Sequence, residues 1–512
     1  MKFQLHELAV AANGKLCELW PDGSLLRDSQ LTAKRRFSFS IDSRTLQPGQ
    51  IFIALRGEHS DGHDYLEQAL RNGACGLVVS DKNRIAQIEQ QVSPSETTGI
   101  SPRSRSFVIL VDDTLSALQS IARVCRQKHT IPLIAVTGSN GKTTVKDMTA
   151  SILAAHYGAQ VLKSEKSFNN HIGLPLTLAN MSEYHAIAVV EIGMNAPGEI
   201  RHLAGIASPE IGAVTNIALA HVGFFHSIEA IMQAKMELIE ALPNDGCAVL
   251  NRDDKLFEQM FSYLRGGMGV IKFGIAHEPE DFDDPFAPIP HHNPTVTAEQ
   301  IVAAPDETYS FEAITPAGRF PVSLNIPGYH NISNALAAIS IAVALMDTIG
   351  PMSLDEIKYG LEHFEPSPMR MHKFTHRQIT FINDAYNANP ASMKSALDTL
   401  RNMTCPGKKI AVLGDMLELG HRSQSEHYLL GALAAQIPVD RLFLLGEYAD
   451  EVARGAQMSG MKPHHIVIGA SHNQLAQEIT AQIEEGDLML CKASRGMKME
   501  IVLESILKLL EI

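Results

Sequence analysis

The 512-residue chain is 45% hydrophobic and carries 43 Lys and Arg against 57 Asp and Glu, a formal charge of −14. That length exceeds a single core and predicts about two to four domains. The acidic balance argues against a general nucleic-acid binder, which needs a basic face, while leaving room for local basic pockets around phosphates. The six cysteines make no C-x-x-C or zinc spacing and read as reduced thiols of a cytoplasmic protein. Met1–Asn13 mixes Lys2, His6 and Glu7 with apolar residues and has no signal-peptide core. The longest apolar stretch, Ala335–Met346, is far short of a membrane span, so a soluble enzyme without membrane insertion is expected.

The first block runs to about Asp113. Its expected strands are Ile51–Leu55, Gly76–Val79 and Phe107–Val111, with a helix near Tyr65–Arg71. Ser93–Ser106, rich in Ser, Pro and Thr, is expected as a loop.

The second block opens with a helix over Leu115–Arg126 and an apolar strand over Ile131–Val136. Thr137-Gly138-Ser139-Asn140-Gly141-Lys142-Thr143-Thr144 follows, and then Val145, Met148, Ile152 and Leu153 recur at helical spacing. Strand, glycine-rich turn, lysine and helix form the layout of a phosphate cradle. Glycines let the backbone turn tightly with its N–H groups inward, and the helix start adds partial positive charge. Lys142 is placed to reach terminal phosphates and the Thr143 hydroxyl to hold magnesium. Val136 stands where the usual motif has its first glycine, giving the shorter T-G-x-x-G-K-T form. The bland reading is a glycine turn before a helix with a surface lysine.

Further along, Phe168-Asn169-Asn170-His171-Ile172-Gly173 is a polar turn whose asparagines either contact ligand or merely shape the chain. Ala186–Val190, Gly212–Ile217 and Cys247–Leu250 are continuous apolar runs, as in parallel strands covered on both faces. Ligands in such sheets bind beyond the carboxyl ends of the strands. Glu191 follows one run and is a candidate magnesium ligand, against a capping or surface role. His221 follows another and is on its own unremarkable. Lys235 lies on a helix, where a lysine normally reads as a solvated charge. Glu278–Pro294 reads as a surface insertion, with His291 and His292 solvated rather than metal-bound. Asn331 and Asn334 begin an apolar helix, as ligand contacts, N-caps or both.

The third block begins near Pro366. Strands at Ile379–Ile382, Ile410–Leu413, Leu442–Leu445, His465–Ile468 and Leu488–Cys491 alternate with helices, and Met499–Leu510 is amphipathic. This is a doubly wound, Rossmann-like α/β pattern. No G-x-G-x-x-G opens a helix, which argues against a dinucleotide cofactor. Asp384-Ala385-Tyr386-Asn387-Ala388-Asn389-Pro390 carries more polar groups than a loop needs and is read as part of a site.

Together these segments resemble the Mur ligases of peptidoglycan synthesis, over nearly the whole chain. Asp42-Ser43-Arg44, Pro48-Gly49-Gln50-Ile51-Phe52 and Asp61-Gly62-His63-Asp64 are similar to the family's uridine-nucleotide domain. Thr137–Thr144, Asn169-Asn170, Glu191-Ile192-Gly193 and His221 match its ATP and magnesium set. Asp384 and Tyr386–Pro390 are most similar to the branch that joins D-alanyl-D-alanine to UDP-N-acetylmuramoyl-tripeptide. The Asp-Asn-Pro-Arg signature of the diamino-acid branch is absent. Lys492-Ala493-Ser494-Arg495 departs from the family's Lys-Gly-Ser-Arg by its alanine.

The resemblance implies three α/β domains. They are a smaller UDP-substrate domain over 1–113, a central ATP-binding parallel sheet over 114–365, and a Rossmann-like domain over 366–512. It assigns Thr137–Thr144, Asn331, Asn334, Arg370 and Asp384 to the nucleotide. Ser43, Arg44, Asn169, Asn170, Tyr386, Asn387 and Asn389 go to the other substrates. Thr143, Glu191, His221 and Lys235 go to magnesium, and Lys142, Lys235 and His221 to catalysis. Lys235 falls where the family carries a lysine that can be carbamylated. The implied protein is a cytoplasmic, monomeric, ATP-dependent ligase working through an acyl phosphate. Its rivals are a sibling or folylpolyglutamate-type ligase adding another amino acid, and a nucleotide-hydrolysing switch.

Overall fold

A computed structural model describes residues 2–18, 35–58, 60–91, 106–165, 167–219, 225, 227–275, 295–350 and 352–511. Residues 93–105 of the loop expected over Ser93–Ser106, the insertion at 278–294 with His291 and His292, and His221 lie outside the described residues. The architecture is mixed α/β with parallel-rich sheets. The chain forms two compact units, Met1–Leu133 with Gln160–Ile192 and His202–Pro209, and Ile134–Ala159 with Gly193–Arg201 and Glu210–Ile512.

In the first unit β1 (Lys2–Phe3) pairs with β3 (Arg35–Arg36), and β2 (Lys15–Glu18) edges a larger sheet. That sheet runs β2-β7-β6-β5-β4, where β4 is Phe39–Ser40, β5 Ile51–Ile53, β6 Gly76–Val79 and β7 Phe107–Leu110. β4 to β7 are parallel and β2 antiparallel. The apolar runs read from the sequence are these strands, and the period-two alternation divides them between two cores. Ile51, Ile53, Val78, Phe107 and Ile109 face a cluster with Leu8, Leu118 and Ile121. Phe52, Leu77, Val79 and Val108 face another with Leu66 and Leu70. Burial on both sides is why the strands read as unbroken hydrophobic stretches rather than alternating ones. The unit also holds a parallel pair, β9 (Val161–Lys163) and β10 (Ile187–Glu191). Glu191 is the last residue of β10, not the first beyond it.

The second unit carries two sheets. In one, strands run in the order β16-β15-β14-β13-β12-β11-β8. Here β8 is Leu133–Thr137, β11 Ile211–Val214, β12 Cys247–Asn251 and β13 Gly269–Ile275. β14 is Val296–Ala303, β15 Tyr309–Thr315 and β16 Gly318–Ser323. β8 and β11 to β14 are parallel, with Thr137 opposite Val214. β15 and β16 add antiparallel edges. The other sheet has the order β17-β18-β22-β19-β20-β21. β17 (His372–His376) is its antiparallel edge, beside parallel β18 (Ile379–Asp384). β19 (Lys409–Gly414), β20 (Arg441–Leu445), β21 (Ile466–Ile468) and β22 (Leu488–Lys492) complete it. Helices follow each parallel strand, and those at His472–Thr480 and Glu500–Leu510 bury Leu475, Ile479, Val502 and Ile506 against Phe381, Ile410, Val412 and Met489. The doubly wound expectation for this segment holds, and the carboxyl ends of β18, β22 and β19 sit side by side.

Candidate active site

β8 is buried along its whole length and delivers the chain to a loop at residues 138–141, from which the helix Lys142–Tyr157 starts. Two glycines make the turn possible. Gly138 has φ +144, and a Cβ there would lie 1.9 Å from Thr215 Oγ1. Gly141 has φ +81, and a Cβ would lie 2.2 Å from Asn334 Oδ1. Any L side chain would meet both backbone strain and collision. Gly141 is the helix N-cap and no side chain caps it, so the first-turn amides keep their capacity for an anion. At the base of the cradle the buried Thr137 hydroxyl has no hydrogen-bond partner, an orphan that a phosphate oxygen would satisfy.

The lysines converge on the same turn. Lys142 Nζ donates to the carbonyls of Gly138 (2.9 Å) and Ser139 (3.2 Å). Lys235 Nζ also donates to Gly138 O, at 2.9 Å, from the helix Ile228–Glu240. Lys235 is only 2% exposed, so its reading as a solvated charge is overturned. Burial, reinforced by the Lys142 ammonium, holds its pKa well below the usual lysine value. A sequence signal existed: Ile231, Lys235 and Ile239 are spaced four apart on one buried stripe.

The rest of the loop is held by residues that the sequence reading gave no role. Asn216, just beyond β11, forms a two-pronged clamp on Asn140. Its Oδ1 accepts from Asn140 N (3.0 Å) and its Nδ2 donates to Asn140 O (3.0 Å). Thr215 Oγ1 donates to the same carbonyl, and Ser139 N donates to Asn216 O at 2.8 Å. The clamp is braced from β12, because Asn251 Nδ2 donates to Thr215 O (2.9 Å) and Asp254 Oδ2 accepts from Ile217 N (2.6 Å). No motif marks these residues; only their position past the strand ends does.

Asn331 and Asn334 sit inside the first turns of the helix His330–Ile349 rather than capping it. Asn331 Nδ2 donates to Pro327 O and Asn334 Nδ2 to Asn331 Oδ1, both at 2.8 Å. The chain thereby presents Asn334 Oδ1 to the phosphate loop. Half-buried His330 lies within the field of Asp384 and Lys492, and burial lowers its pKa to about 4.

At the carboxyl edge of the second sheet, Asp384 pairs with the buried Lys492, which also donates to Asn387 O at 3.0 Å. Asp384 Oδ1 accepts from Met371 N (3.0 Å). The Arg370 guanidinium lies 4.1 Å from the Tyr386 ring centre, a cation–π contact. The Asn387 side chain accepts from Ala388 N, and Ser494 Oγ accepts from Leu417 N, each at 2.9 Å. Asn389 caps the helix Pro390–Asn402 and also bonds Asn140.

In the first unit, buried Glu191 accepts from Asn169 Nδ2 at 2.6 Å. Asn170 turns its Oδ1 to the N–H groups of Ile172 and Gly173, shaping the entry to the helix Gly173–Ala179. Buried Ser43 donates to Gln68 Oε1, and exposed Arg44 makes a bidentate pair with Asp42. Among the described residues no three His, Cys, Asp or Glu cluster as a ready-made metal site. No described helix is long and apolar enough to cross a membrane.

Three segments of the chain match known families. Residues 38–126 match the Mur ligase family catalytic domain, 136–342 the Mur ligase middle domain, and 369–495 the Mur ligase glutamate ligase domain. The chain is 34% identical over 470 residues to the UDP-N-acetylmuramoyl-tripeptide–D-alanyl-D-alanine ligase of Bacillus subtilis (strain 168), covering 92% of this chain and 93% of that one. Among solved structures it is similar to MurF from Acinetobacter baumannii, with TM-score 0.78, 26% identity and 99% of both chains covered. It is also similar to MurF from Thermotoga maritima in complex with ADP, with TM-score 0.71, 26% identity, and 93% of this chain and 98% of that one covered.

Proposed function

The chain belongs to the Mur ligase family, and on that premise we propose that it joins D-alanyl-D-alanine to UDP-N-acetylmuramoyl-tripeptide using ATP. The observation that carries this reading is the phosphate loop, with two positive-φ glycines, an uncapped helix start and two lysines on one carbonyl, in a chain matching D-alanyl-D-alanine ligases along 92% of its length. The Thermotoga relative, solved in complex with ADP, supports an adenine nucleotide as a ligand of this chain.

The chemistry follows from charge. The peptide carboxylate attacks the γ-phosphorus, the bond to the ADP oxygen breaks, and an acyl phosphate forms. The amine of the dipeptide then attacks the acyl carbon, phosphate leaves, and the amine gives up a proton. Two anions must meet in the first step, so opposing positive charge is the main requirement. The first-turn amides would supply it, as would Lys142 by turning its ammonium from the Gly138 and Ser139 carbonyls to the phosphate. Thr143 and Glu191 carry the hard oxygen donors magnesium prefers and are each proposed as its ligands, as is His221. Magnesium, when bound, would neutralise phosphate charge. Burial holds the Lys235 pKa well below the usual lysine value, which favours the neutral amine, the nucleophile that would add to carbon dioxide with loss of one proton to give a carbamate, an anionic oxygen donor for the same metal.

Asn331, Asn334, Arg370 and Asp384 are proposed around the nucleotide. Ser43, Arg44, Asn169, Asn170, Tyr386, Asn387 and Asn389 are proposed around the peptide substrates. We infer three domains, 1–113, 114–365 and 366–512, in a cytoplasmic monomer; the separation of the three family segments supports that division. Mass spectrometry of a reaction with ATP, UDP-N-acetylmuramoyl-tripeptide and D-alanyl-D-alanine tests the proposal. Pentapeptide product is expected. Product only with a single amino acid or glutamate would mark a sibling ligase, and ATP hydrolysis with no amide product a nucleotide switch.

A further inference from the structure

The tip of the phosphate loop is bonded directly to the start of the helix Pro390–Asn402, which follows the strand carrying Asp384. The backbone of Asn140 is held on both sides, with its N–H and C=O both taken by the Asn216 side chain and its carbonyl also by Thr215. Only the Asn140 side chain is left to reach outward. Its Oδ1 accepts from Asn389 Nδ2 at 2.7 Å. Asn389 is 5% exposed and uses its other amide atom as the N-cap of Pro390–Asn402, where Oδ1 accepts from Ser392 N at 2.9 Å. Ser392 Oγ closes the capping box by accepting from Asn389 N at 3.0 Å.

This double use fixes polarity. Flipping the Asn389 amide would set its NH2 against the Ser392 N–H, donor to donor, and lose the cap. The helix start therefore cannot move relative to the phosphate loop without breaking either its own cap or the contact with Asn140. The same polar segment is pinned at its other end by Lys492, through Asp384 and Asn387 O.

We propose that Asn140 and Asn389 form a latch that ties the phosphate loop to the segment 384–389, holding it closed over the acyl phosphate until the amine attacks. This rests on the ligase reading above. Both asparagines act as positioning residues, and Asn216 presents the first to the second. Without the latch, water reaches the acyl carbon, the carbon–oxygen bond to phosphate breaks, carboxylate is restored, and phosphate is released with a proton to solvent. One ATP is then consumed with no amide made.

The test is the ratio of phosphate released to amide formed by the full chain, with ATP, UDP-N-acetylmuramoyl-tripeptide and D-alanyl-D-alanine. Asn389→Ser keeps an N-cap oxygen but is too short to reach Asn140. Asn140→Ala removes the acceptor from the other side and leaves the cap untouched. The wild type should release one phosphate per amide. Each variant should raise the excess of phosphate over amide, the acyl phosphate lost to water per amide made, about three- to tenfold, the worth of one neutral hydrogen bond. The thermal midpoint should hold, and the loss should fall on kcat for amide formation rather than on KM for ATP. The double variant should be no worse than either single one. A ratio that stays at one in both single variants, or independent effects that multiply in the double, overturns the latch. A wild type that makes no pentapeptide instead overturns the ligase reading, and the latch with it.

Discussion

Two basic side chains have their pKa values lowered by burial, and each gives a prediction at the scale of a single residue. His330 has its pKa lowered to about 4 from 6.5. Between those values the unfolded chain binds more protons than the folded one, so stability rises with pH from about 4 to about 6.5 and is flat above. Urea titrations across that range should show the slope in the wild type and a shallower one in His330→Gln; parallel curves would contradict the assignment. Lys235, depressed well below the usual lysine value, cannot be replaced by a permanently charged group without placing that charge beside Lys142. Lys235→Arg should therefore lower stability by about 3 kcal/mol or more in denaturant unfolding, while Lys235→Met costs less; equal stabilities would show that the site tolerates charge. Arg44 is the opposite case. Its pair with Asp42 is exposed, and such pairs contribute little to stability. Arg44→Ala should leave the melting temperature in place and weaken binding of the UDP substrate by calorimetry, and unchanged affinity would remove Arg44 from that role. Lys142, Gly138 and Gly141 were legible in the sequence because a phosphate loop has an invariant chemistry at fixed spacing. Asn216 was not, because a polar residue past a strand end has no pattern until the strands are set side by side.

At the scale of elements, the phosphate loop is shaped by its neighbours as much as by its own glycines. The clamp from the β11 end takes both backbone groups of Asn140. Asn216→Ala should raise KM for ATP about tenfold by letting the loop relax, with a smaller change in KM for D-alanyl-D-alanine. A uniform rise in both would mean general misfolding rather than loop positioning. Most of the buried parallel strands were legible to within two residues, since burial on both faces leaves unbroken apolar runs such as Ile187–Glu191 and Lys409–Gly414, while β11 was read as Gly212–Ile217, three residues past its end at Val214. The parallel β13 and β14 and the antiparallel edges β15 and β16 were not read at all. β15 alternates buried and less buried positions, with Tyr309, Phe311 and Ala313 inward, and a search for continuous runs passes over that pattern. The helix His330–Ile349 was read, but Asn331 and Asn334 are within it, where helical position alone does not separate a cap from an inward-facing amide.

For the molecule as a whole, the proposed chemistry is placed at the carboxyl ends of parallel strands in the second unit: β8 and β11 flank the glycine-rich loop, and β18 and β22 end in Asp384 and Lys492. The amide contact of Asn140 with Asn389 is one of several bonds between the two sheet regions of that unit, beside Thr404 N to Pro305 O and the Lys373–Asp306 ion pair. The central claim is that a substrate carboxylate strikes the terminal phosphate held at this loop. Label transfer reads that event directly. With oxygen-18 in the terminal carboxylate of UDP-N-acetylmuramoyl-tripeptide, inorganic phosphate released during pentapeptide synthesis should carry one labelled oxygen per amide made, and Lys142→Ala should release neither labelled phosphate nor product. Unlabelled phosphate accompanying full product formation would contradict an acyl phosphate at this site.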